Sequence, residues 1–300
     1  MRLCIILYNI VIIHMKGGKE VQHYDKFVGK EILSDEESKL RFGDQWKESG
    51  EKIKNVHEAL AELYEKAGEP KKDLELEKSD RDREIIELVA NATDRFLEEL
   101  GRNKKVSVPL DHIHYLKEGG VKEYTHGRLG VGSHASVLGE ILVDRRNDLE
   151  TAITTFHELW HAKVYTALQT TIKGKFKAYR EGFSIYSREG DKRWYYYLDE
   201  ALAGYMTKRF FNEVLERDES FKKEIQESKK PIDTTRLREL ADFSRWVHEL
   251  WERNRDQFKS KDEIVKLFLD GQVNGRILPI ARLVEKTYGK EKFRQFGVGF

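Results

Sequence analysis

The chain has 300 residues, enough for one large domain or two small ones with a real core, and Lys+Arg 54 against Asp+Glu 53 leave a net charge of +1. A balance that close gives no electrostatic case for a nucleic-acid or membrane-surface partner, and Cys4, the single cysteine, excludes an intrachain disulfide and any multi-cysteine metal site. A hydrophobic fraction of 39% beside 36% charged residues points to helices laced with surface ion pairs, a composition that suits life at high temperature.

Leu3 to Ile13 is an apolar run broken by Tyr8 and Asn9, too short for a bilayer-spanning helix, which needs about 20 residues. Arg2 would serve as the basic flank of a signal peptide, but no small-x-small cleavage site follows. A β-strand built on Ile5, Ile6, Val11, Ile12 and Ile13 is another reading, and an extension before a true start at Met15 another. The favoured expectation is a strand or such an extension in a cytoplasmic protein, with export the alternative if residues 1–15 act as a signal.

A helix is expected from Ser34 to about Ala67, with Ser34 and Glu37 as a capping box and Leu40, Trp46, Ile53, Val56, Leu60 and Leu63 at loosely helical spacing. Gly68-Glu69-Pro70 ends it. A second helix, Lys72 to Leu100, carries Ile85, Ile86, Val89, Ala90, Phe96 and Leu97 on its inner face, with Gly101 as its C-terminal cap. The two read as a helical hairpin. The pattern then turns toward β-structure: Lys105 to Leu116 alternates partly, Gly132-Ser133-His134 reads as a turn, and Val137 to Val143 is the best strand of the chain. This stretch is where a small sheet is expected.

Asn147, a good N-cap with Glu150 three residues on, opens a helix running to about Gln169. It contains His157-Glu158-Leu159-Trp160-His161, an HExxH motif. Residues four apart on a helix lie about 40° apart around the axis and about 6 Å apart along it, so His157 and His161 can close on one metal ion. Glu158 then stands where it can take a proton from a metal-bound water. The competing reading is a solvated helix whose histidines carry no ligand. Beyond it, an irregular stretch is expected through Gly174, Gly182 and Gly190. Helices follow from about Leu198 to Glu216, in a block after Pro231, at about Asp262–Asp270, and at about Ile277–Phe296, where Gly289 interrupts.

A catalytic zinc usually takes three protein ligands and a water. A metzincin would need Gly at 164 and His at 167, where this chain has Val164 and Ala167. A carboxylate on a second, packed helix is the remaining route, and Asp199-Glu200-Ala201-Leu202-Ala203-Gly204-Tyr205 offers one, with small residues that let two helices approach closely. The run from Arg193 to Tyr205 resembles the signature of gluzincin metallopeptidases, the peptidase MA-like clan, in which this Glu completes a His-His-Glu zinc site. The resemblance implies ligand roles for His157, His161 and Glu200 and the general-base role for Glu158. It also implies an exposed edge strand before the metal helix that pairs with extended substrate, a place held by Gly139 to Val143, and a closing helix pair, which Ala281 to Phe296 resembles. It covers about residues 137–216; residues 1–100 match nothing in it.

Two departures stand out. Many thermolysin-like members carry Asp four residues after the third ligand, where this chain has Gly204; Asp199 reads first as a helix N-terminal carboxylate favoured by the dipole and second as a substitute orienting group. For the oxyanion, Tyr195, Tyr196, Tyr197, Tyr205, Tyr288, His126 and His134 are all candidates. Trp160 and Trp194 read as core.

The fold expected is mainly α with a small β-sheet (α+β): a zincin-like metal-binding core at 105–220 between an N-terminal helical region, 1–104, and a C-terminal one, 221–300, packed on it. The function expected is a zinc-dependent endopeptidase or aminopeptidase acting on a peptide or protein substrate. The alternative is an HExxH regulatory or binding module with limited or no proteolysis, and a third reading is a metal-free helical scaffold.

Overall fold

The computed structural model describes residues 24–28, 62, 65–102, 108–127, 129–135, 139–171, 176–187, 192–228 and 237–298. The readings of residues 1–15 and most of the expected Ser34–Ala67 helix lie outside them. The described chain is mainly helical with two small sheets. Among the described residues no helix is long and apolar enough to cross a membrane.

Helix α1 (Asp80–Glu99) starts later than its apolar pattern suggests. Ser79 caps it, its hydroxyl accepting from Asp82 N while the Asp82 carboxylate accepts from Ser79 N. The residues before it, expected as helix from Lys72, hold one 3-10 turn (Lys72–Leu74) and then an extended segment. That segment lies along the three-stranded sheet of β2 (Ile113–Leu116), β3 (Gly132–Ala135) and β4 (Glu140–Asp144), whose order is β2-β4-β3. Leu76 N donates to Tyr115 O at 2.7 Å and Lys117 N to Leu74 O at 3.0 Å, so the outer side of β2 is covered. Buried His114 of β2 holds the segment down, one ring nitrogen 2.8 Å from Glu75 and the other 2.6 Å from Ala67 O. Between β2 and β3 stands the short helix α2 (Gly120–Tyr124).

The sheet corrects one expectation. The strand just before the metal helix, β4, is the central strand, parallel to β2 and antiparallel to β3. The edge among the described strands is β3, within the segment read as a turn.

Helix α3 (Asp148–Lys163) carries the HExxH motif and is capped by Asn147, whose Oδ1 accepts from Glu150 N at 2.8 Å. It ends at Lys163, not near Gln169. Val164 is extended, and the chain enters a second, five-stranded sheet: β1 (Tyr24–Val28), β5 (Thr166–Thr171), β6 (Phe176–Glu181), β7 (Ser184–Tyr186) and β8 (Arg193–Trp194), in the order β1-β5-β6-β7-β8. The described part of the stretch expected to be irregular is therefore largely sheet, while Gly174 and Gly190 lie outside the described residues. Leu168 continues the four-residue spacing of Trp160 and Val164, which suits a helix face, but it falls inside β5, where the β-branched Thr166, Thr170 and Thr171 favour a strand.

Helix α4 (Tyr196–Glu213) packs against α3, and Ala201, Ala203 and Gly204 are buried. Phe156 of α3 stacks on Phe210 of α4 with centroids 4.3 Å apart, and Phe96 of α1 meets Phe156 edge-on at 6.0 Å. Helices α5 (Lys222–Glu227), α6 (Leu237–Arg253), α7 (Lys261–Asn274), α8 (Ile277–Tyr288) and α9 (Lys292–Phe296) follow, with Gly289 breaking the last two apart as expected. One continuous apolar core runs from Ile85 of α1 through Phe156 and Trp160 to Phe268 of α7 and Phe293 of α9. The C-terminal segment fixes the start of α4: Tyr195, in the left-handed region at φ 59, donates its N–H to Gly297 O at 2.8 Å and its hydroxyl to Phe293 O at 3.1 Å.

Candidate metal centre

The motif helix turns His157 and His161 toward α4, where Glu200 faces them. Nε2 of His157 and Nε2 of His161 lie 3.2 Å apart, and Glu200 Oε2 lies 3.5 Å from each. A tetrahedral zinc with bonds of about 2.0–2.1 Å spaces its ligand atoms about 3.3–3.4 Å apart. The triangle therefore has the size of one face of such a site. Among the described residues, these two histidines and one glutamate form a group that could hold a metal ion. Two imidazoles and a carboxylate suit a borderline divalent cation. The three expected ligands, His157, His161 and Glu200, are thus brought together.

Each histidine is held from behind. His157 Nδ1 donates to Thr207 Oγ1 at 3.2 Å, and the Thr207 hydroxyl is itself committed as a donor to Ala203 O at 2.8 Å. The proton then sits on Nδ1, and the Nε2 lone pair is left for a metal. At Gly204, where many thermolysin-like enzymes carry Asp, an added Cβ would meet nothing within 4 Å. Thr207, three residues further along the same helix, does the orienting.

Asp199 orients the other ligand. Its Oδ2 stands 3.3 Å from His161 Nδ1, so Asp199 is both a first-turn carboxylate of α4, as expected, and a group that faces the second ligand. The fully buried Asp199 takes a backbone N–H from Phe183 at 2.8 Å and an amide N–H from Gln272 at 2.9 Å on Oδ1. Burial alone would raise its carboxyl; the His161 hydrogen bond and charge, with these donors, outweigh that and lower it. Gln272 is fixed in turn, because its Oε1 accepts from the indole N–H of Trp160 at 3.0 Å and indole only donates. Trp160 is buried, as expected, and holds this network from the motif helix itself.

The unanticipated sheet has a role here. The β6–β7 turn brings Gly182, at φ +53, so close that a Cβ would stand 2.1 Å from Asp199 Oδ1. Thr207, Gln272 and Gly182 carry no motif that would have marked them in the sequence.

Glu158 is buried beside the ligands, against β3. His134 Nδ1 lies 2.9 Å from its Oε2, and the His134 ring stacks on His161, centroids 4.7 Å apart and planes 4° apart. Burial would raise the Glu158 carboxyl. The His134 hydrogen bond and the charges of His157, His134 and His161 overcome it and push the group down to about 2. Glu158 is therefore a carboxylate at neutral pH, able to accept a proton.

Of the candidates for stabilising an oxyanion, His134 alone among the described contacts touches the motif residues. Tyr195 is spent on Phe293 O, Tyr288 lies against Arg253 and Phe296, His126 is exposed, Tyr197 is 48% exposed beside Tyr196, and Tyr205 packs on the core. Trp194, read as core, is only partly buried.

Compared with protein-family models, with curated proteins and with solved structures, the chain finds no match. The class defined by the coordinates is a mainly α protein with a His-His-Glu group that could bind a metal ion.

Proposed function

We propose that this chain is a zinc-dependent metallopeptidase of the gluzincin type, cleaving a peptide or protein substrate. The supporting observation is the spacing of His157 Nε2, His161 Nε2 and Glu200 Oε2 at 3.2–3.5 Å, with the ionised Glu158 next in sequence to the first ligand. Zinc, when held by these three residues, would acidify a bound water and polarise the scissile carbonyl.

The residues divide the remaining work. Thr207 and Asp199 keep the two imidazoles in the tautomer and orientation a metal needs. Glu158 takes a proton from the attacking water and returns it to the leaving amine. The β3 edge, beside Glu158, offers its backbone to an extended peptide, since the opposite edge of the sheet is already occupied by residues 74–76.

The test is zinc stoichiometry by elemental analysis together with peptide-library cleavage, on the parent and on Glu158→Gln. The variant should hold the parent's zinc and lose hydrolysis. Parental cleavage rates in that variant would reject the mechanism, and a protein that takes up no divalent metal would reject the reading as a whole.

A further inference from the structure

Strand β3 is short and rich in small residues, yet its inner face is specific. Strand alternation puts Gly132 and His134 on one face, toward α3, and Ser133 and Ala135 on the other. Both inward positions meet the same side chain. A Cβ at Gly132 would stand 2.6 Å from Glu158 Oε1, and His134 Nδ1 lies 2.9 Å from Glu158 Oε2. One position supplies room for the carboxylate and the other supplies a donor. The His134 ring is itself fixed, being stacked face to face on His161 and only 13% exposed.

We propose that His134 is a positioning residue for Glu158. It donates its Nδ1–H to Glu158 Oε2, holds the carboxylate in one orientation beside the ligands, and takes its own orientation from the stack on His161. The strand offered to substrate and the group that moves the proton are thereby coupled through one side chain. The role rests on the peptidase reading of the site.

The donor and the ring can be separated. His134→Phe keeps a ring to stack on His161 and has no N–H; His134→Asn loses the ring and places an amide N–H near the position of Nδ1. In the zinc-loaded protein, kcat on a cleaved peptide should fall about 10- to 100-fold in His134→Phe. KM and the zinc dissociation constant should stay within about threefold, and His134→Asn should regain most of the lost kcat. His134→Ala, if it folds, should behave as the Phe variant does.

A second readout needs no turnover. Long-range proton–nitrogen NMR of the metal-free chain should find a proton on His134 Nδ1, with its signal shifting in Glu158→Ala. Parental kcat in His134→Phe, or zinc loss in step with lost activity, would overturn the positioning role, as would an unprotonated Nδ1. A zinc-loaded parent that cleaves no peptide would instead overturn the peptidase reading, and the NMR result would still say whether the His134–Glu158 bond exists.

Discussion

Asp199 Oδ2 stands 3.3 Å from Nδ1 of His161, while the opposite nitrogen of that ring faces Glu200, the next residue in the chain, at 3.5 Å. Two consecutive helix residues thus hold both ends of one imidazole. Asp199→Ala should weaken zinc binding about 10- to 100-fold, because the ring loses its orienting partner and its tautomer is no longer set. Competition titration with a chromophoric chelator reads this directly, and unchanged affinity would remove Asp199 from the centre.

Gln272 ties that carboxylate to Trp160 and is wholly buried. Gln272→Leu leaves the buried indole N–H without this partner, while Asp199 Oδ1 keeps the Phe183 N–H. A buried donor left unpaired costs about 1–3 kcal/mol, so unfolding free energy should drop by about that amount. Denaturant titration of the metal-free protein isolates the effect from metal binding. A neutral substitution would mean that water replaces the amide.

How much of this could be read from the sequence differs from residue to residue. The motif helix and its Asn147 cap were legible because capping and a fixed spacing are local. Glu200 was legible through the resemblance of the Arg193–Tyr205 run to the gluzincin signature, which implies a ligand role for that carboxylate. Thr207 and Gln272 were not, since a polar residue on a helix looks the same in sequence whether it faces solvent or a buried partner. Strand β3 was read as a turn because its Gly132, which resembles a turn residue, is there to leave room for Glu158. The five-stranded sheet was missed in part because Leu168 of β5 continues the four-residue spacing of Trp160 and Val164. The edge role went to β4 for want of any local sign of strand order, which is a tertiary property.

Gly132→Ala tests that room. The new Cβ would stand 2.6 Å from Glu158 Oε1 and 2.8 Å from Thr154 Cγ2, closer than real contacts allow. Either the strand or the carboxylate must move. Displacing a general base costs part of the roughly 10²–10⁴-fold that such groups contribute, so kcat should fall at least tenfold with zinc content unchanged. Full activity in this variant would show that β3 yields easily at this point.

Acid sensitivity should arise in part at the start of the motif helix. Asp148 bonds Arg81 at 2.8 Å and Arg145 at 2.5 Å. Burial raises its carboxyl, but the hydrogen bonds and charges of the two arginines prevail and lower it from 3.8. A carboxyl lowered in the folded state binds fewer protons there than in the unfolded chain, so stability rises with pH across that interval. The contribution is present above the unfolded value of about 3.9 and is lost as pH falls through the lower folded one. The parent should therefore be more stable than Asp148→Asn near neutrality, and the difference should shrink below about pH 4. Urea unfolding at a series of pH values checks this; a difference independent of pH would place the effect in packing and not in charge.

Metal and fold should also be linked. The ligands come from two helices, α3 and α4, so an ion that binds all three stabilises the folded chain over the unfolded one. At free zinc a hundredfold above its dissociation constant the gain is about 2.7 kcal/mol, and it should vanish on adding a chelator. Glu200→Gln should lose most of the gain, because a neutral amide replaces the carboxylate ligand and leaves two imidazoles. Thermal unfolding with and without zinc, in parent and variant, separates this from any stability change caused by the substitution itself. An equal zinc-induced rise in both proteins would place the binding site elsewhere in the chain.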